Sequence, residues 1–218
     1  MAEFDWVYRP ENAECIMILI GDHGEAAQAA SLLVDLPCAV VCIPCRDWNL
    51  DLSPWPAPAV FGKEDFGGGA DAFLRQLLDA CIPSIQQEAT SVYGGCSLSL
   101  GICGYSLAGL FALWAAMRCD RFRFVASVSG SLWYDGFEDW FAEHASQLQV
   151  ERAYFSVGDK EKRTRNLRMA CVEDASRGIA EKMALLGIQS TFELNPGNHF
   201  QQVPERLSKA IHWLMLKE

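Results

Sequence analysis

The sequence has no apolar run long enough to cross a membrane. Its longer runs, such as CIMILI at positions 15–20, fall well short of the roughly 20 residues that span a bilayer. The opening residues, MAEFDWVYRP, also lack the basic start and apolar core of a signal peptide. We therefore expect a protein of the cytoplasm that has no membrane partner.

Positive charge is scarce as well. The chain has 18 Lys and Arg against 28 Asp and Glu, which gives a formal net charge of −10. A field of that sign repels phosphate backbones, and the basic stretch KEKRTR at 160–165 is too short to offset it. This composition argues against a nucleic-acid partner.

Cysteine is the exception, with nine residues. Cys38, Cys42 and Cys45 have a C-x3-C-x2-C spacing that could hold an iron–sulfur cluster in a loop. The intervening AVVCI, however, is typical of a buried strand, which would hold the first two sulfurs roughly 13 Å apart on one face, with Cys45 on the opposite side. We predict reduced thiols packed in the core, and no metal site.

The length and patterning indicate one α/β domain covering residues 1–218. Half of the residues are hydrophobic, and apolar strand-like runs alternate with amphipathic helical stretches. This alternation predicts a mostly parallel sheet with helices on both faces. The predicted strands are 16–20, 39–43, 98–102, 124–128, 152–157 and 191–194.

Three predicted helices and one long loop complete this outline. One helix carries an apolar stripe from Phe73 to Ile85 and is bent by Pro83, a second runs from Val172 to a stop at Gly187, and the last begins near Val203. The segment 47–69 is rich in Trp, Pro and Gly and is predicted to be irregular. Loops of that length in compact domains are often functional.

The segment LGICGYSLAGLFALW, residues 100–114, places a serine at a predicted strand–turn–helix corner. Such a corner holds the hydroxyl of Ser106 above the sheet in a strained backbone conformation, as in the G-x-S-x-G pattern of serine hydrolases. The chain departs from that pattern at Ala108, where the second glycine is expected. The alternative interpretation is a glycine-lined turn whose serine caps the helix.

A serine nucleophile needs a base, and the chain has only four histidines. His199 in LNPGNHF lies on the predicted loop between the last strand and the last helix, where such a base is presented. His144 and His212 lie in predicted helices and are expected to have surface or packing roles. His23 precedes the serine and can at most flank the site.

The base in turn needs an acid that fixes its tautomer. Asp159 follows the strand RAYFSV and Gly158 directly, so it is the first choice, and the order Ser106, Asp159, His199 matches that of α/β hydrolases. Glu161, two residues further on and with a longer reach, is the second choice. Asp174 lies in a predicted helix and is expected to be solvated.

From about residue 14 to residue 214 the sequence resembles the α/β-hydrolase esterases of the esterase D and enterochelin esterase-like group. The segments that carry this resemblance are DLSPWPAP (51–58), FGGGADAFL (66–74), GYSLAGLFALWA (104–115), SGSLWYDGF (129–137), SVGDKEKRTRN (156–166) and LNPGNHF (194–200).

The resemblance implies an α/β-hydrolase fold with a minimal lid. It also implies a serine hydrolase with Ser106 as nucleophile, His199 as base and Asp159 as acid. Some relatives use only a Ser–His pair. Related enzymes cleave simple esters, siderophore lactones and feruloyl-type esters, so the substrate stays open.

The expected reaction is acyl transfer from a small-molecule ester to Ser106, followed by hydrolysis. The backbone N–H groups of Leu107 and Asp22 are the expected oxyanion donors. Trp48 and Trp133 are the expected pocket walls, with Trp55 and Tyr134 as further candidates. No metal or organic cofactor is implied.

Two other functions fit the same sequence. An acyltransferase or peptidase would share the serine, histidine and acid but would need a dry acceptor pocket or a peptide groove. A catalytically silent binding protein of the same fold would be expected to lose one of the three residues.

Overall fold

The chain forms a central sheet flanked by helices in a computed structural model that describes residues 3–60, 62–94 and 98–216. The strands are β1 (Asp5–Tyr8), β2 (Cys15–Ile20), β3 (Cys38–Ile43), β4 (Pro56–Ala57), β5 (Phe66–Gly67), β6 (Ser99–Tyr105), β7 (Phe122–Val128), β8 (Arg152–Gly158) and β9 (Gln189–Asn195). The helices are α1 (His23–Ser31), α2 (Trp48–Asp51), α3 (Ala70–Gln76), α4 (Ile82–Tyr93), α5 (Leu107–Arg118), α6 (Phe137–His144), α7 (Leu167–Ala170), α8 (Val172–Leu185) and α9 (Val203–Met215).

The main sheet has the strand order β1-β3-β2-β6-β7-β8-β9. In this sheet β3, β2, β6, β7, β8 and β9 run parallel, and β1 pairs antiparallel with β3 at one edge. Helices α1 and α9 pack on one face, whereas α3, α4, α5 and α8 pack on the other. The predicted α/β class, with helices on both faces, is confirmed. Because parallel strands end at the same edge, the segments after β2, β6, β8 and β9 meet there.

All six predicted strands are present: five extend beyond their predicted ranges by one to three residues, and β6 begins one residue later than predicted and ends three residues later. Two elements were not expected from the sequence: β1, a short, partly exposed strand at the sheet edge, and the small β4–β5 hairpin in the segment 47–69. That segment also contains α2, so it is more ordered than expected.

The predicted helix from Phe73 to Ile85 is interrupted as expected near Pro83. Residues Leu77–Cys81 form a π-helical turn between α3 and α4, just before the proline. Pro83 has no N–H for the regular α-helical ladder, and a wider turn accommodates that break. The helix from Val172 and the helix from Val203 begin at the predicted residues.

Cysteines 38 and 42 lie inside β3 and are completely buried. Cys45 follows the strand and packs against the hydrophobic cluster on the opposite face of the sheet, as predicted. The eight cysteines of the described residues are free thiols, and Cys96 lies outside those residues. Among the described helices, none combines the length and the apolar composition needed to cross a bilayer.

Candidate active site

Ser106 lies on a sharp turn between β6 and α5. Its backbone has φ 59° and ψ −123°, a region that non-glycine residues rarely adopt and that is found at strained functional turns. The turn is fixed because the Ser106 N–H donates to Val128 O at 3.0 Å, and Ser106 O accepts from the Ser131 N–H at 3.0 Å. The serine side chain makes no capping hydrogen bond to α5, which argues against the capping interpretation.

The departure from the glycine pattern at Ala108 is accommodated by close packing at Gly104. A Cβ atom added at Gly104 would lie only 2.8 Å from the Ala108 Cβ and would collide with the Ala108 carbonyl. The first glycine therefore leaves the space that the helix backbone and the Ala108 methyl group occupy. The turn needs a glycine at 104, and alanine fits at 108.

His199 reaches Ser106 from the loop between β9 and α9. Its Nε2 lies 3.0 Å from Ser106 Oγ, within hydrogen-bond distance. The backbone carbonyl of His199 accepts a hydrogen bond from Tyr105 Oη at 2.6 Å, which ties the loop to the residue before the serine. The structure thus brings together the predicted serine and histidine, which are 93 positions apart in the sequence.

The acid next to His199 is Glu161, not Asp159. Glu161 Oε2 lies 2.7 Å from His199 Nδ1, whereas Asp159 Oδ1 accepts the Gly197 N–H at 2.9 Å. The chain turns back after β8, because the Glu161 N–H donates to Gly158 O at 3.0 Å, and the longer side chain then points at the imidazole. The first choice from the sequence is therefore corrected: Asp159 is exposed and braces the histidine loop through Gly197.

Glu161 is held by four donors that divide between its two oxygens. Oε2 faces the imidazole, and Oε1 accepts from Gly158 N at 2.5 Å, Ser129 Oγ at 2.8 Å and Arg206 Nη1 at 3.0 Å. Only 4% of the Glu161 side chain is exposed. Burial by itself raises the pKa of this carboxyl, but the hydrogen bond and charge of His199, with the bonds from Gly158 and Ser129, lower the pKa below its ordinary value near 4.5. Glu161 is thus a carboxylate at neutral pH.

Leu107 and Asp22, the expected oxyanion donors, both follow the ends of neighbouring strands, β6 and β2. Leu107 is the first residue of α5, and N–H groups in the first turn of a helix have no partner within that helix. Asp22 follows β2, whose Ile20 pairs with Gly104, so Asp22 and Ser106 lie two residues beyond paired positions of neighbouring strands. The Asp22 carboxylate caps α1 by accepting from Gly24 N at 2.8 Å.

Two small clefts have Ser106 in their walls. The larger, of about 90 Å³, contains both predicted tryptophans, and the smaller, of about 30 Å³, lies beside the imidazole. The residues that line the larger cleft are Trp48, Asn49, Val60, Glu64, Phe66, Ser106, Leu107, Ser131 and Trp133. The smaller cleft is lined by Ser106, Ser131, Trp133, Glu161, Met169, Val172 and His199. Trp133 lines both clefts, and Met169 and Val172 were not expected as cleft residues from the sequence.

The other two aromatic candidates have structural roles behind the clefts. Trp55 stacks on Phe137 and donates its indole N–H to Asp135 O at 2.8 Å, and Tyr134 Oη donates to Trp55 O. Neither residue lines a cleft at Ser106. They fix the loop that carries Trp133, since Tyr134 follows it directly.

The other three histidines have partners other than Ser106. His144 and His212 bond to carbonyls of their own helices, at 2.8 and 2.9 Å, and His23 lies 3.9 Å from Asp5 on the surface. Within residues 3–60, 62–94 and 98–216, no three His, Cys, Asp or Glu side chains are grouped as metal ligands would be.

Comparisons with known proteins identify the family of the chain. The profile of the family described as Putative esterase matches residues 21–203. The uncharacterized protein YbbA of Bacillus subtilis (strain 168) is 26% identical over 180 residues, which cover 75% of this chain and 68% of YbbA. The siderophore hydrolase EstA from Aspergillus nidulans matches with a TM-score of 0.73 and 18% identity, over 97% of this chain and 88% of EstA.

An IroE-like serine hydrolase from Shewanella oneidensis matches with a TM-score of 0.73 and 17% identity, over 94% of this chain and 71% of that protein. At such low identity the two solved structures establish the shared fold, and the family match covers most of the chain. The chain therefore belongs to the Putative esterase family and is a hydrolase with the α/β-hydrolase fold.

Proposed function

We propose that the protein hydrolyses carboxylic esters through an acyl-enzyme formed on Ser106. The observation that carries this proposal is the hydrogen-bonded chain from Ser106 Oγ to His199 Nε2, at 3.0 Å, and from His199 Nδ1 to Glu161 Oε2, at 2.7 Å. A nucleophile within hydrogen-bond distance of a base, which is itself oriented by an acid, is the arrangement that activates a serine hydroxyl.

In the first half of the reaction, Ser106 Oγ attacks the ester carbonyl carbon while His199 Nε2 takes the hydroxyl proton. Glu161 stabilises the imidazolium that forms, and the N–H groups of Leu107 and Asp22 stabilise the negative carbonyl oxygen. When the intermediate collapses, the bond to the alcohol oxygen breaks and the alcohol leaves with the proton from His199. The acyl group stays on Ser106.

In the second half, water replaces the alcohol. His199 takes a proton from this water, whose oxygen attacks the acyl carbon, and Ser106 leaves with the proton as the carboxylic acid is released. Solvent reaches the base, because 23% of the His199 side chain is exposed. This access favours hydrolysis over transfer to a second acceptor, which requires water to be excluded.

The clefts favour a short acyl group. The larger cleft, of about 90 Å³, is small beside the roughly 300–1,000 Å³ of drug-sized ligand pockets, and its walls are mainly apolar. We assign the acyl group to this cleft, with Trp48 and Trp133 as walls, and the alcohol to the smaller cleft beside His199. EstA is described as a siderophore hydrolase, so siderophore lactones belong among the candidate substrates.

We place this reaction in the cytoplasm with a small-molecule ester as partner, and neither nucleic acid nor a membrane takes part. The free thiols of the described residues are typical of a reducing compartment. The net charge of −10 disfavours binding to polyanions.

The test is a substrate panel assayed with wild type and Ser106→Ala. The panel contains p-nitrophenyl acetate, butyrate and octanoate, a siderophore trilactone and a peptide p-nitroanilide. We expect turnover of the short esters, and a loss of about 10⁶-fold in Ser106→Ala with an unchanged melting temperature. Cleavage of the anilide alone would favour the peptidase alternative, and inactivity of wild type on every member would contradict the proposal.

A further inference from the structure

Arg206 is a buried arginine on the inner side of α9. Only 1% of its side chain is exposed, although arginine is among the residues least often buried without partners. It lies in the same helix as the apolar residues Leu207, Ala210 and Ile211, which face the sheet. A guanidinium in such a position needs polar partners, because burying an unpaired charge is costly.

Its partners all belong to the active site or to the segments that carry it. Nη1 lies 3.0 Å from Glu161 Oε1, 3.0 Å from Ser129 Oγ and 3.1 Å from Tyr105 Oη. Nη2 donates to the carbonyls of Pro196, at 3.0 Å, and Asn198, at 3.1 Å. The two nitrogens therefore face in different directions, one towards the acid and the other towards the loop that carries His199.

We propose that Arg206 is a positioning residue that sets the distance between Glu161 and His199 and thereby aligns the imidazole with Ser106. This inference rests on the proposed function. Arg206 acts through other residues and does not touch the reacting atoms. The planar guanidinium presents donors in a fixed geometry, so it can hold a carboxylate and two backbone carbonyls in one relative orientation.

The network is closed around the catalytic residues. The two N–H groups of Arg206 Nη1 are shared among Tyr105 Oη, Ser129 Oγ and Glu161 Oε1. Tyr105 Oη in turn donates to the His199 carbonyl, and Ser129 Oγ donates to Glu161. Each hydroxyl thus uses its proton on the catalytic side. Glu161 Oε1 is occupied by the donors of Gly158, Ser129 and Arg206. Oε2 is therefore left to accept the hydrogen bond from His199 Nδ1.

A purely structural role would give a different pattern. Buried ion pairs are weak evidence of stability, and replacement by an apolar side chain of similar size is often neutral. Positioning, by contrast, controls the rate of the chemical step, where a misplacement of about 1 Å can lower the rate about 100-fold. The two roles are separated by kcat measured on folded protein.

The experiment compares Arg206→Met and Arg206→Lys with wild type, using p-nitrophenyl butyrate and thermal melts. We expect Arg206→Met to lower kcat about 100-fold while KM changes by less than about threefold. Arg206→Lys keeps the positive charge but can donate to fewer of the acceptors, so its kcat should lie between those of wild type and Arg206→Met. The downfield proton resonance of the His199–Glu161 hydrogen bond should weaken or shift in both variants.

Arg152→Met is the matched control. Arg152 donates to the carbonyls of Leu214 and Leu216 at the far end of α9, so its loss should affect the melting temperature and leave kcat unchanged. The positioning role is refuted if both variants keep the wild-type kcat and the resonance, with the kcat of Arg206→Met calculated for its folded fraction. That failure is distinct from failure of the proposed function, which would show as activity in Ser106→Ala.

Discussion

Glutamine at position 161 changes the charge of the acid while keeping its size and shape. Glu161 Oε1 is surrounded by three donors, the N–H of Gly158, the O–H of Ser129 and the guanidinium of Arg206. In Glu161→Gln the amide oxygen must face these donors, because an NH₂ group there would meet three other donors. The NH₂ group is then left facing His199 Nδ1.

This orientation selects the wrong tautomer of the base. An NH₂ group opposite Nδ1 favours the imidazole that carries its proton on Nε2, and that nitrogen can no longer accept the proton of Ser106. We expect kcat to fall by about 10⁴-fold, which corresponds to a barrier increase of about 5.4 kcal/mol. KM should change little, because the Glu161 side chain, although it lines the smaller cleft, is only 4% exposed and both of its oxygens are engaged by groups of the protein.

Asp159→Asn is the matched control, since it is the same chemical change two residues away. The Asn carbonyl can still accept the Gly197 N–H, the bond that Asp159 makes now. We expect its kcat to stay within about threefold of wild type, in line with other exposed substitutions. Both variants are assayed on p-nitrophenyl butyrate. A larger loss in Asp159→Asn than in Glu161→Gln would refute the assignment, and normal activity in both would indicate a Ser–His pair.

Two further outcomes follow from the cleft and from the buried acid. Trp48→Ala should enlarge the larger cleft and raise kcat/KM for the octanoate ester relative to the acetate ester by about tenfold. The Trp48 side chain lines this cleft and is 39% exposed, so its removal should leave the core intact. An unchanged ratio would show that the acyl group binds elsewhere. Folding lowers the pKa of Glu161 below its ordinary value near 4.5. The ionised Glu161 carboxylate therefore adds to the free energy of unfolding above about pH 4.5, and this contribution is lost as the pH falls through the lowered pKa. Urea unfolding between about pH 6 and about pH 3 should therefore show a steeper loss of stability in wild type than in Glu161→Gln, and parallel curves would contradict this.

The sequence was most informative where a local pattern determines the structure. Continuous apolar runs predicted the central strands, and the glycine-lined corner with a histidine after the last strand predicted that Ser106 and His199 meet. The choice between Asp159 and Glu161 depended on a turn after β8 and on a competing donor, Gly197 N. Both are tertiary features that residue spacing does not record.

Arg206 was missed because a charged residue in an amphipathic helix is normally solvated. A signal was nevertheless present, since Arg206 precedes Ala210 by four residues and Leu214 by eight, which places it on the buried side of α9. The edge strand β1 was missed because DWVY is short and begins with a charge, which is typical of a sheet edge and weak as a pattern.

The central claim is that the acyl group passes through Ser106, and rapid-quench mass spectrometry with p-nitrophenyl butyrate tests it most directly. We expect a burst of p-nitrophenol and one butyryl adduct per chain, on the peptide that contains Ser106. The adduct should form in wild type, accumulate slowly in Glu161→Gln and be absent in Ser106→Ala. An adduct on another residue, or undiminished turnover by Ser106→Ala, would contradict the account.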